Sequence, residues 1–360
     1  MKTDKVRVAF LVPYPLRLAP SQRFRVELFL PELDIASIDY NVQSFIDEKT
    51  WHQLYNGGSF IRKSWGVVKG FARRWKFILF DLTKFDFVFI HREAAPVGPP
   101  VFEWLISKVF RKKIIYDFDD AIWIPNTSKV NNFVSWFKAC WKVKYICKWS
   151  YQVVGGNDYL CNYASLYNRC VVKIPTCVDT VKYHNQVKDQ DTEKVVIGWT
   201  GSQSTLKFLE NIIPVLKELN ERFDFEFVII ANQAPLFDLS FSKFIRWDEH
   251  SEVDDLLQLN IGVMPLDNDP WCEGKCGFKL IQYLSLGIPA VASPIGVNAT
   301  IIDEGINGYL CSSKEEWIKA LTDLIEDASL RSQMGKDGRE KVITNYSIQS
   351  QASNFLHLFN

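Results

Sequence analysis

The sequence contains no run of about 18 uninterrupted apolar residues, the length that a helix needs to cross a bilayer. Its first stretch, MKTDKVRVAFLVPYP, has too short an apolar segment for a secretory signal and is predicted to form a strand. The 8 cysteines lack the spacing of a disulfide framework, which favours buried thiols in a reducing compartment. Cys272 and Cys276 have no neighbouring His or Cys pair to complete a zinc site. These absences predict a metal-free cytoplasmic protein, at most peripheral on the inner face of a membrane.

Net charge is also absent, but the charges are divided unevenly along the chain. Residues 1–180 hold 26 Lys and Arg against 16 Asp and Glu, and residues 181–360 hold 16 against 26. A basic half favours anionic partners such as phospholipid, a lipid phosphate or a polyanion, and does not choose among them. The 47% hydrophobic and 14% aromatic content excludes a disordered or low-complexity protein.

Short apolar runs alternate with helical segments, a rhythm typical of parallel sheets covered by helices. One series runs from Val6 to residue 176, and a second begins with KVVIGWTGS at Lys194 and ends with GYLCS. Between them, the polar segment from Val178 to Lys194 has the composition of an interdomain linker. We therefore predict an α/β protein with two Rossmann-like, doubly wound domains, residues 1–180 and 181–344. A closing helix at about residues 345–360 is expected to pack back on the first domain.

The most specific stretch is NIGVMPLDNDPWCEGKCGFKLIQYLSLGIPAVAS, which begins at Asn260. A predicted strand is followed by a charged loop, and a helix then begins near Gly277 with Lys279 in its first turn. Helix N-terminal amides and a nearby ammonium both stabilise anionic oxygens, so the pattern suits a diphosphate. Gly274 allows close backbone approach, and Lys275 adds positive charge. A solvated loop followed by a core helix fits the local pattern equally well.

The helix GFKLIQYLSLGIPAVAS resembles the donor-site helix of family 4 glycosyltransferases of the GT-B fold. The family's commoner pattern is Glu, seven residues, then Glu, and this chain has Gly274 and Gln282 at those positions. The resemblance implies that Phe278, Lys279 and Gln282 contact the donor, and that Glu273 substitutes for the first acid if the loop shifts by one residue. Gln282 can hydrogen-bond hydroxyl groups as an uncharged donor and acceptor.

A second stretch, IGWTGSQSTLKFL, is similar to the other phosphate-side loop of the family. A strand turns through Gly201 into a helix whose first residues are small and hydroxylated. Thr200, Gly201 and Ser202 would offer backbone amides to the donor, and Lys207 would neutralise charge. A tight strand-to-helix turn with a serine N-cap is the competing interpretation.

In the first half, FDFVFIHREAAP places His91, Arg92 and Glu93 at the end of a strand, where parallel sheets form their ligand crevice. Family members often carry a His at such a strand end near the transferred sugar. The resemblance therefore implies a catalytic role for His91 and acceptor contacts for Arg92 and Glu93. A lone His is more often structural or exposed, and this alternative stays open.

Acidic and basic residues follow two other strands of the first half. IIYDFDDAIW places Asp117, Asp119 and Asp120 where they would bind acceptor hydroxyls, with Asp120 as a candidate catalytic base. Magnesium is the competing ligand for these acids, although GT-B enzymes generally stabilise the leaving diphosphate with protein groups. Arg23 and Arg25 begin the first helix and favour a phosphate contact, with a solvated helix turn as the alternative.

Two segments combine aromatic and basic residues without any acid. FIRKSWGVVKGFARRWKFILF begins at Phe60, and VNNFVSWFKACWKVKYICKW runs from Val130 to Trp149. Such segments lie on anionic membranes through apolar insertion and charge. Core-packing helices with snorkelling lysines are the alternative. The apolar residues of the first segment recur at helical spacing: Ile61, Trp65, Val68, Phe71, Trp75 and Ile78.

The resemblance covers most of the chain and implies a retaining, hexosyltransferase-like enzyme whose two domains face each other across a cleft. Its donor would be a nucleotide-sugar, and its acceptor a glycan or lipid-phosphate-linked molecule in cell-surface polysaccharide synthesis. No cofactor, metal or nucleic acid is expected. A nucleotide-sugar epimerase of the same fold is one alternative. A non-catalytic glycan-binding subunit is another, because Gln282 and Gly274 replace acids.

Overall fold

The computed structural model describes residues 5–55, 59–125 and 139–360. The chain divides into a first unit, Met1–Thr176 with Ala352–Asn360, and a second unit, Cys177–Gln351. Each unit is built on a six-stranded sheet in which all neighbouring strands are parallel. The predicted α/β class with two parallel sheets is therefore confirmed. The division between the units falls slightly before the predicted boundary at residues 180 and 181.

The first sheet has the strand order β2-β1-β3-β4-β5-β6. Its strands are β1 (Arg7–Val12), β2 (Asp39–Ser44), β3 (Phe87–His91), β4 (Lys113–Phe118), β5 (Gln152–Gly155) and β6 (Val171–Lys173). Strands β1, β3 and β4 are almost entirely buried, as expected for apolar runs in a sheet covered on both faces. The edge strand β2 was not predicted, because its alternating sequence DYNVQS has no continuous apolar run.

Helices connect the strands of the first sheet. They are α1 (Pro20–Arg25), α2 (Leu30–Ile35), α3 (Glu48–Tyr55), α4 (Phe60–Lys76), α5 (Val101–Trp104), α6 (Lys142–Trp149) and α7 (Asp158–Ser165). Helix α4 continues through a wider turn over Phe77–Asp81, and α5 does so over Leu105–Val109. The part of the predicted Val130–Trp149 segment before residue 139 lies outside the described residues.

Helix α4 buries a narrow face against the first sheet. Gly66 and Gly70 form part of this face, and a Cβ atom at either would collide with Thr50 or Phe45. One turn further, the fully buried Arg74 donates to the carbonyl oxygens of Val12 (2.8 Å), Gln43 (2.6 Å) and Ala94 (2.8 Å). Arg74 therefore ties the helix to the carboxyl ends of β1 and β2 and to the loop after β3.

The chain end adds aromatic side chains to the core of the first unit. Helix α15 (Ile348–Leu356) leads into a short 3-10 turn, His357–Phe359. Phe355 stacks on Phe29 with ring centroids 4.3 Å apart, and Phe359 packs against Phe87 at 5.9 Å and Phe10 at 6.2 Å. Residues Ala352–Asn360 of the predicted closing segment therefore belong to the first unit.

The second sheet has the strand order β12-β11-β10-β7-β8-β9. Its strands are β7 (Val195–Gly201), β8 (Phe225–Ala231), β9 (Ser242–Arg246), β10 (Ile261–Met264), β11 (Ala290–Ala292) and β12 (Gly308–Leu310). All six coincide with predicted apolar runs. The helices are α8 (Ile213–Asn220), α9 (Glu252–Leu256), α10 (Pro270–Glu273), α11 (Phe278–Ser285), α12 (Asn298–Ile301), α13 (Lys314–Glu326) and α14 (Ala328–Asn345).

The segment predicted to be an interdomain linker is packed on the second unit. The Gln190 amide lies 3.3 Å from the carbonyl oxygens of Asn260 and Gly287. Arg331 donates to the Gln190 side chain at 3.2 Å and to its carbonyl oxygen at 3.0 Å. Buried Gln190 therefore anchors this part of the segment to the second unit, although most of the segment's polar residues are exposed.

All eight cysteines are free thiols, and five of them are buried. Burial raises the pKa of the Cys147, Cys272 and Cys311 thiols to about 12. Cys140 and Cys161 are half-buried, and Cys170 is exposed, so the expectation of buried thiols is wrong for Cys170. Among the described residues, no helix combines the length and hydropathy required to traverse a lipid bilayer.

Candidate functional site

Strand pairing brings two predicted site residues of the first unit together. His91 is the last residue of β3 and lies in register with Asp117 of β4. The Nδ1 atom of His91 is 2.7 Å from Oδ2 of Asp117, and both side chains are buried. A carboxylate only accepts hydrogen bonds, so Nδ1 carries a proton that points at Asp117.

Arg25 of α1 completes the surroundings of Asp117. Its guanidinium binds the Asp117 carboxylate through Nη2, and Nε lies 3.4 Å from Oδ2. A third donor, Nη1, reaches the carbonyl oxygen of Ile174. Arg25 is buried, so the predicted phosphate or acceptor contact does not fit this residue. Its neighbour Arg23 is half-buried, with its guanidinium 5.0 Å from the ring centre of Phe24.

The second ring nitrogen of His91 is occupied as well. Its Nε2 atom lies 2.9 Å from Oγ of Ser21, a residue of the first turn of α1. The His91 ring is fully buried, and its catalytic role stays a prediction. Ser21 was missed in the sequence, although a hydroxyl residue that opens the helix after β1 is a recognisable signal.

Arg92 organises the other two predicted acids. It has φ 59°, a left-handed conformation that is uncommon outside glycine and typical of functional sites. In this conformation Nε lies 2.7 Å from Asp119 and Nη2 lies 2.8 Å from Asp120. Although burial opposes it, the charge of Arg92, followed by that of His91, holds the pKa of Asp119 well below its usual range. Asp119 is therefore ionised, and a catalytic role for Asp120 stays a prediction.

Glu93 pairs with a lysine from α6 that the sequence did not single out. Lys142 is buried, and its Nζ lies 2.6 Å from Oε2 of Glu93 and 2.8 Å from the carbonyl oxygen of Ala95. Glu103 accepts from the Ala94 amide at 2.9 Å. These bonds fix the loop after β3 and commit Glu93 to an ion pair.

In the second unit, the predicted helix start is formed at α11. Gly277 precedes this helix with φ 65°, and a Cβ atom there would collide with Ile301. Only glycine meets both conditions without strain. Gly274 is buried at the end of α10, and Phe278 is the half-buried first residue of α11.

Two lysines near this helix start lie against tryptophan rings. Lys275 Nζ is 3.5 Å from the ring centre of Trp271, and Lys279 Nζ is 5.4 Å from that of Trp199. A Cβ atom at Gly201 would lie 2.9 Å from Cε of Lys279, so this glycine leaves the room that the lysine occupies. Cation–π contacts thus hold two ammonium groups beside one helix start.

The loop after β7 differs in part from its prediction. The Thr200 amide donates to the hydroxyl of Tyr283 at 2.9 Å, so this amide is not available to a phosphate. Ser202 precedes the 3-10 helix Gln203–Asn211 without a side-chain capping bond, and its Oγ lies 2.9 Å from Oγ of Ser204. Lys207 is exposed, with Nζ 4.8 Å from the ring centre of Phe208.

Gln282 is the most informative residue of this unit. It lies on α11 and is 2% exposed, and within the described parts of the chain its Nε2 has no hydrogen-bond partner. A buried donor without a partner costs about 1–3 kcal/mol, and such groups in native proteins call for an explanation. A bound hydroxyl or phosphate oxygen would satisfy it. Glu273 is half-buried at the end of α10, where its backbone lies close to Gly296.

Residues 239–341 match the family model described as Glycosyl transferases group 1. A stretch of 81 residues is 29% identical to spore coat protein SA of Bacillus subtilis, and it spans 22% of this chain and 22% of that protein. The matched range contains α10, α11 and every predicted donor-site residue from Glu273 to Gln282.

Solved structures resemble the chain over nearly its whole length. Sucrose-phosphate synthase from Thermosynechococcus elongatus has a TM-score of 0.71 and 12% identity, covering 99% of this chain and 98% of that one. Anabaena HepE in complex with UDP-glucose has a TM-score of 0.69 and 13% identity, covering 98% and 99%. The catalytic domain of starch synthase IV from Arabidopsis thaliana, bound to ADP and acarbose, has a TM-score of 0.68 and 10% identity, covering 99% of each. The chain thus has the GT-B fold of these structures, and residues 239–341 are similar to group 1 glycosyl transferases.

Proposed function

We propose that this protein is a retaining glycosyltransferase that transfers a sugar from a nucleotide-diphosphate-sugar to a glycan or lipid-linked acceptor. The observation that carries this proposal is the buried amide donor of Gln282, on the same helix whose start holds Lys279. HepE is in complex with UDP-glucose and the starch synthase IV domain is bound to ADP, which supports a nucleotide as the ligand class.

The chemistry that these residues offer is stabilisation of a leaving diphosphate. Negative charge develops on the diphosphate as the glycosidic bond breaks, and fixed cations and helix amides lower the energy of that state. Lys275 and Lys279 are held by Trp271 and Trp199, so little reorganisation is needed when the charge develops.

The acids of the first unit fit a mechanism without a strong carboxylate base. Asp117 is bound by Arg25, and Asp119 and Asp120 are bound by Arg92. For Asp119, the charge of Arg92 lowers the pKa against the effect of burial, and a carboxylate with a lowered pKa is a weak base. A diphosphate oxygen that assists the incoming hydroxyl, as the family resemblance implies, would replace such a base and give retention.

Substitution of Lys279 tests the donor site. Lys279→Ala should reduce transfer or donor turnover about 100-fold, because one fixed charge at the developing anion is lost. The thermal midpoint should change little. Lys319→Ala, which removes an exposed lysine of α13, is the matched control. Equal turnover in the two variants would refute the assignment of Lys279.

A ligand panel separates the proposal from its alternatives. UDP-, GDP-, dTDP-, ADP- and CMP-sugars are screened by thermal shift, and the stabilising donor is then incubated with the protein alone. A transferase releases at most a little free nucleotide, whereas an epimerase converts the sugar. Donor binding with no turnover across many acceptors would instead indicate a glycan-binding subunit.

We propose further that the first unit contacts an anionic membrane that carries the acceptor. Helix α4 exposes a line of apolar side chains on the side opposite Gly66 and Arg74, including Ile61 (79% exposed) and Trp65 (59%). Exposed residues of this kind do not fit the alternative of an ordinary core-packing helix. Exposed cations, among them Arg62 and Lys69, lie on the same helix.

A second apolar surface of the first unit supports the same proposal. It is a hollow of about 290 Å³ between α5 and α6. Lys108, in the turn that continues α5, and Lys148 of α6 are exposed. Glu103, an acid of α5, is buried. Apolar insertion combined with cations is the chemistry of interfacial binding. The hollow is lined by Pro99, Pro100, Val101, Trp104, Trp141, Tyr145 and Trp149.

Vesicle sedimentation tests the membrane contact. Binding to phosphatidylglycerol vesicles should fall about tenfold in the variant Ile61→Ser/Trp65→Ser, because apolar insertion is lost. Leu166→Ser, at an exposed leucine of the same unit, should bind like the wild type. Wild-type binding that is equally strong to neutral and anionic vesicles, or absent from both, would contradict the proposal.

A further inference from the structure

Ser21 is the accessible end of a hydrogen-bonded chain whose other members are buried. Its hydroxyl lies 2.9 Å from His91 Nε2, and the opposite ring nitrogen lies 2.7 Å from Asp117. Asp117 is in turn held by the guanidinium of Arg25. Ser21 itself is half-buried, whereas His91, Asp117 and Arg25 are buried.

A hydrogen bond from the Ser21 hydroxyl also contributes to the lowered pKa of Asp119. The hydroxyl has one proton and two lone pairs, so it cannot donate to His91 and Asp119 at once. When it donates to Asp119, Nε2 of His91 must carry a proton to donate to Oγ. When it donates to Nε2, an oxygen lone pair and the Asp119 carboxylate are left for another hydroxyl. This hydroxyl is therefore fixed in position but adaptable in hydrogen-bond direction.

The loop that carries Ser21 is held in place before any ligand binds. The buried Gln22 accepts from the Tyr14 amide at 3.0 Å and donates to Glu27 at 2.9 Å. Glu27 also accepts from the Arg17 amide at 2.8 Å. These bonds order the connection between β1 and α1, so Ser21 is presented by a rigid support at the carboxyl edge of the sheet.

We propose that Ser21 contacts a hydroxyl group of a sugar substrate, and that His91 and Asp117 are positioning residues that act only through Ser21. The assignment rests on the proposed glycosyltransferase function. A sugar hydroxyl both donates and accepts, which matches a serine hydroxyl flanked by the Asp119 carboxylate and an imidazole nitrogen.

A double-mutant cycle on the full chain tests this assignment, with release of UDP from UDP-glucose as the reaction and the other donors of the panel as further probes. Ser21→Ala should lower kcat about tenfold, as expected for loss of one hydrogen bond to substrate, and leave the affinity for UDP unchanged. Ser21→Thr, which keeps the hydroxyl, should restore most of kcat. Ser165→Ala is the control, because it removes a hydroxyl of the same unit that bonds only to the backbone.

His91→Gln tests whether the imidazole acts on the substrate only through Ser21 or independently of it. It should lower kcat about tenfold in the wild type but less than twofold in the Ser21→Ala background, because the effects of residues that act through one another are not additive. Equal losses in both backgrounds, or full activity of Ser21→Ala, would overturn the assignment while leaving the transferase intact. A wild-type protein that binds no nucleotide and turns over no donor would instead overturn the proposed function, and this assignment with it.

Discussion

Replacement of Arg74 by Met should strongly destabilise the first unit. The guanidinium is fully buried and donates to three carbonyl oxygens, of Val12, Gln43 and Ala94. Burial lowers the pKa of Arg74 to about 9, so the side chain is still charged at neutral pH. Methionine keeps much of the aliphatic packing but removes all three of these hydrogen bonds, and the Val12 carbonyl oxygen keeps only the Phe45 amide as a donor, at 2.8 Å.

The magnitude follows from these contacts. Each hydrogen bond lost to the charged guanidinium costs about 1.5–3 kcal/mol, and removal of a buried guanidinium returns several kcal/mol of desolvation energy. We therefore expect a net loss of about 3–4 kcal/mol. Arg74→Lys keeps the charge but cannot reach three acceptors in the same geometry, so an intermediate loss is expected.

Hydrogen exchange of the full-length protein is the suitable assay, because a chain of two units does not unfold in one step. Amides of α4 and β1 should exchange about 100- to 1,000-fold faster in Arg74→Met, and those of the second unit should be unchanged. Lys76→Met, at an exposed position of the same helix, serves as the control. Protection in Arg74→Met that equals protection in Lys76→Met would refute the anchoring role of Arg74.

Three further predictions concern other sites. Phe355→Ala should lower the stability of the first unit by about 3–5 kcal/mol in calorimetry, because the stack on Phe29 is lost. An unchanged unfolding temperature of the first unit would contradict this. Gln282→Leu should raise the thermal midpoint of the free protein slightly and weaken nucleotide binding in titration calorimetry, since a buried donor without a partner is removed; tighter binding would argue against a donor contact. The folded-state pKa of Asp119 is depressed, so its ion pair stabilises the protein above about pH 4 and is lost below it, and Asp119→Asn should flatten the acid limb of the stability curve.

The sequence predicted elements whose residues are apolar in an unbroken run. Strands β7 and β10 are examples, because a strand covered on both faces needs no alternation and is recognised from its continuous apolar run. Strand β2 could not be recognised in this way, since Asp39, Asn41 and Gln43 lie on an exposed edge. Its place in the sheet depends on pairing with β1, which is a long-range contact.

Long-range contacts also limit what the sequence can predict about the candidate site. The sequence identified His91, Asp117 and Lys279 from their positions after strands or at a helix start. It could not show that His91 is buried behind Ser21, or that Arg25 faces Asp117 and not solvent, because these contacts join segments 70 and 92 residues apart. Nor could it show that the Thr200 amide is used by Tyr283.

The packing of Phe355 and Phe359 in the first unit has a consequence for synthesis on the ribosome. Residues up to Thr176 are translated early, but the unit also includes Ala352–Asn360, which are translated only after the whole second unit. The contact between Phe10 and Phe359 therefore cannot form while the second unit is being made. During that interval the nascent first unit exposes an aromatic surface of the kind that chaperones bind, until residues 352–360 have left the exit tunnel.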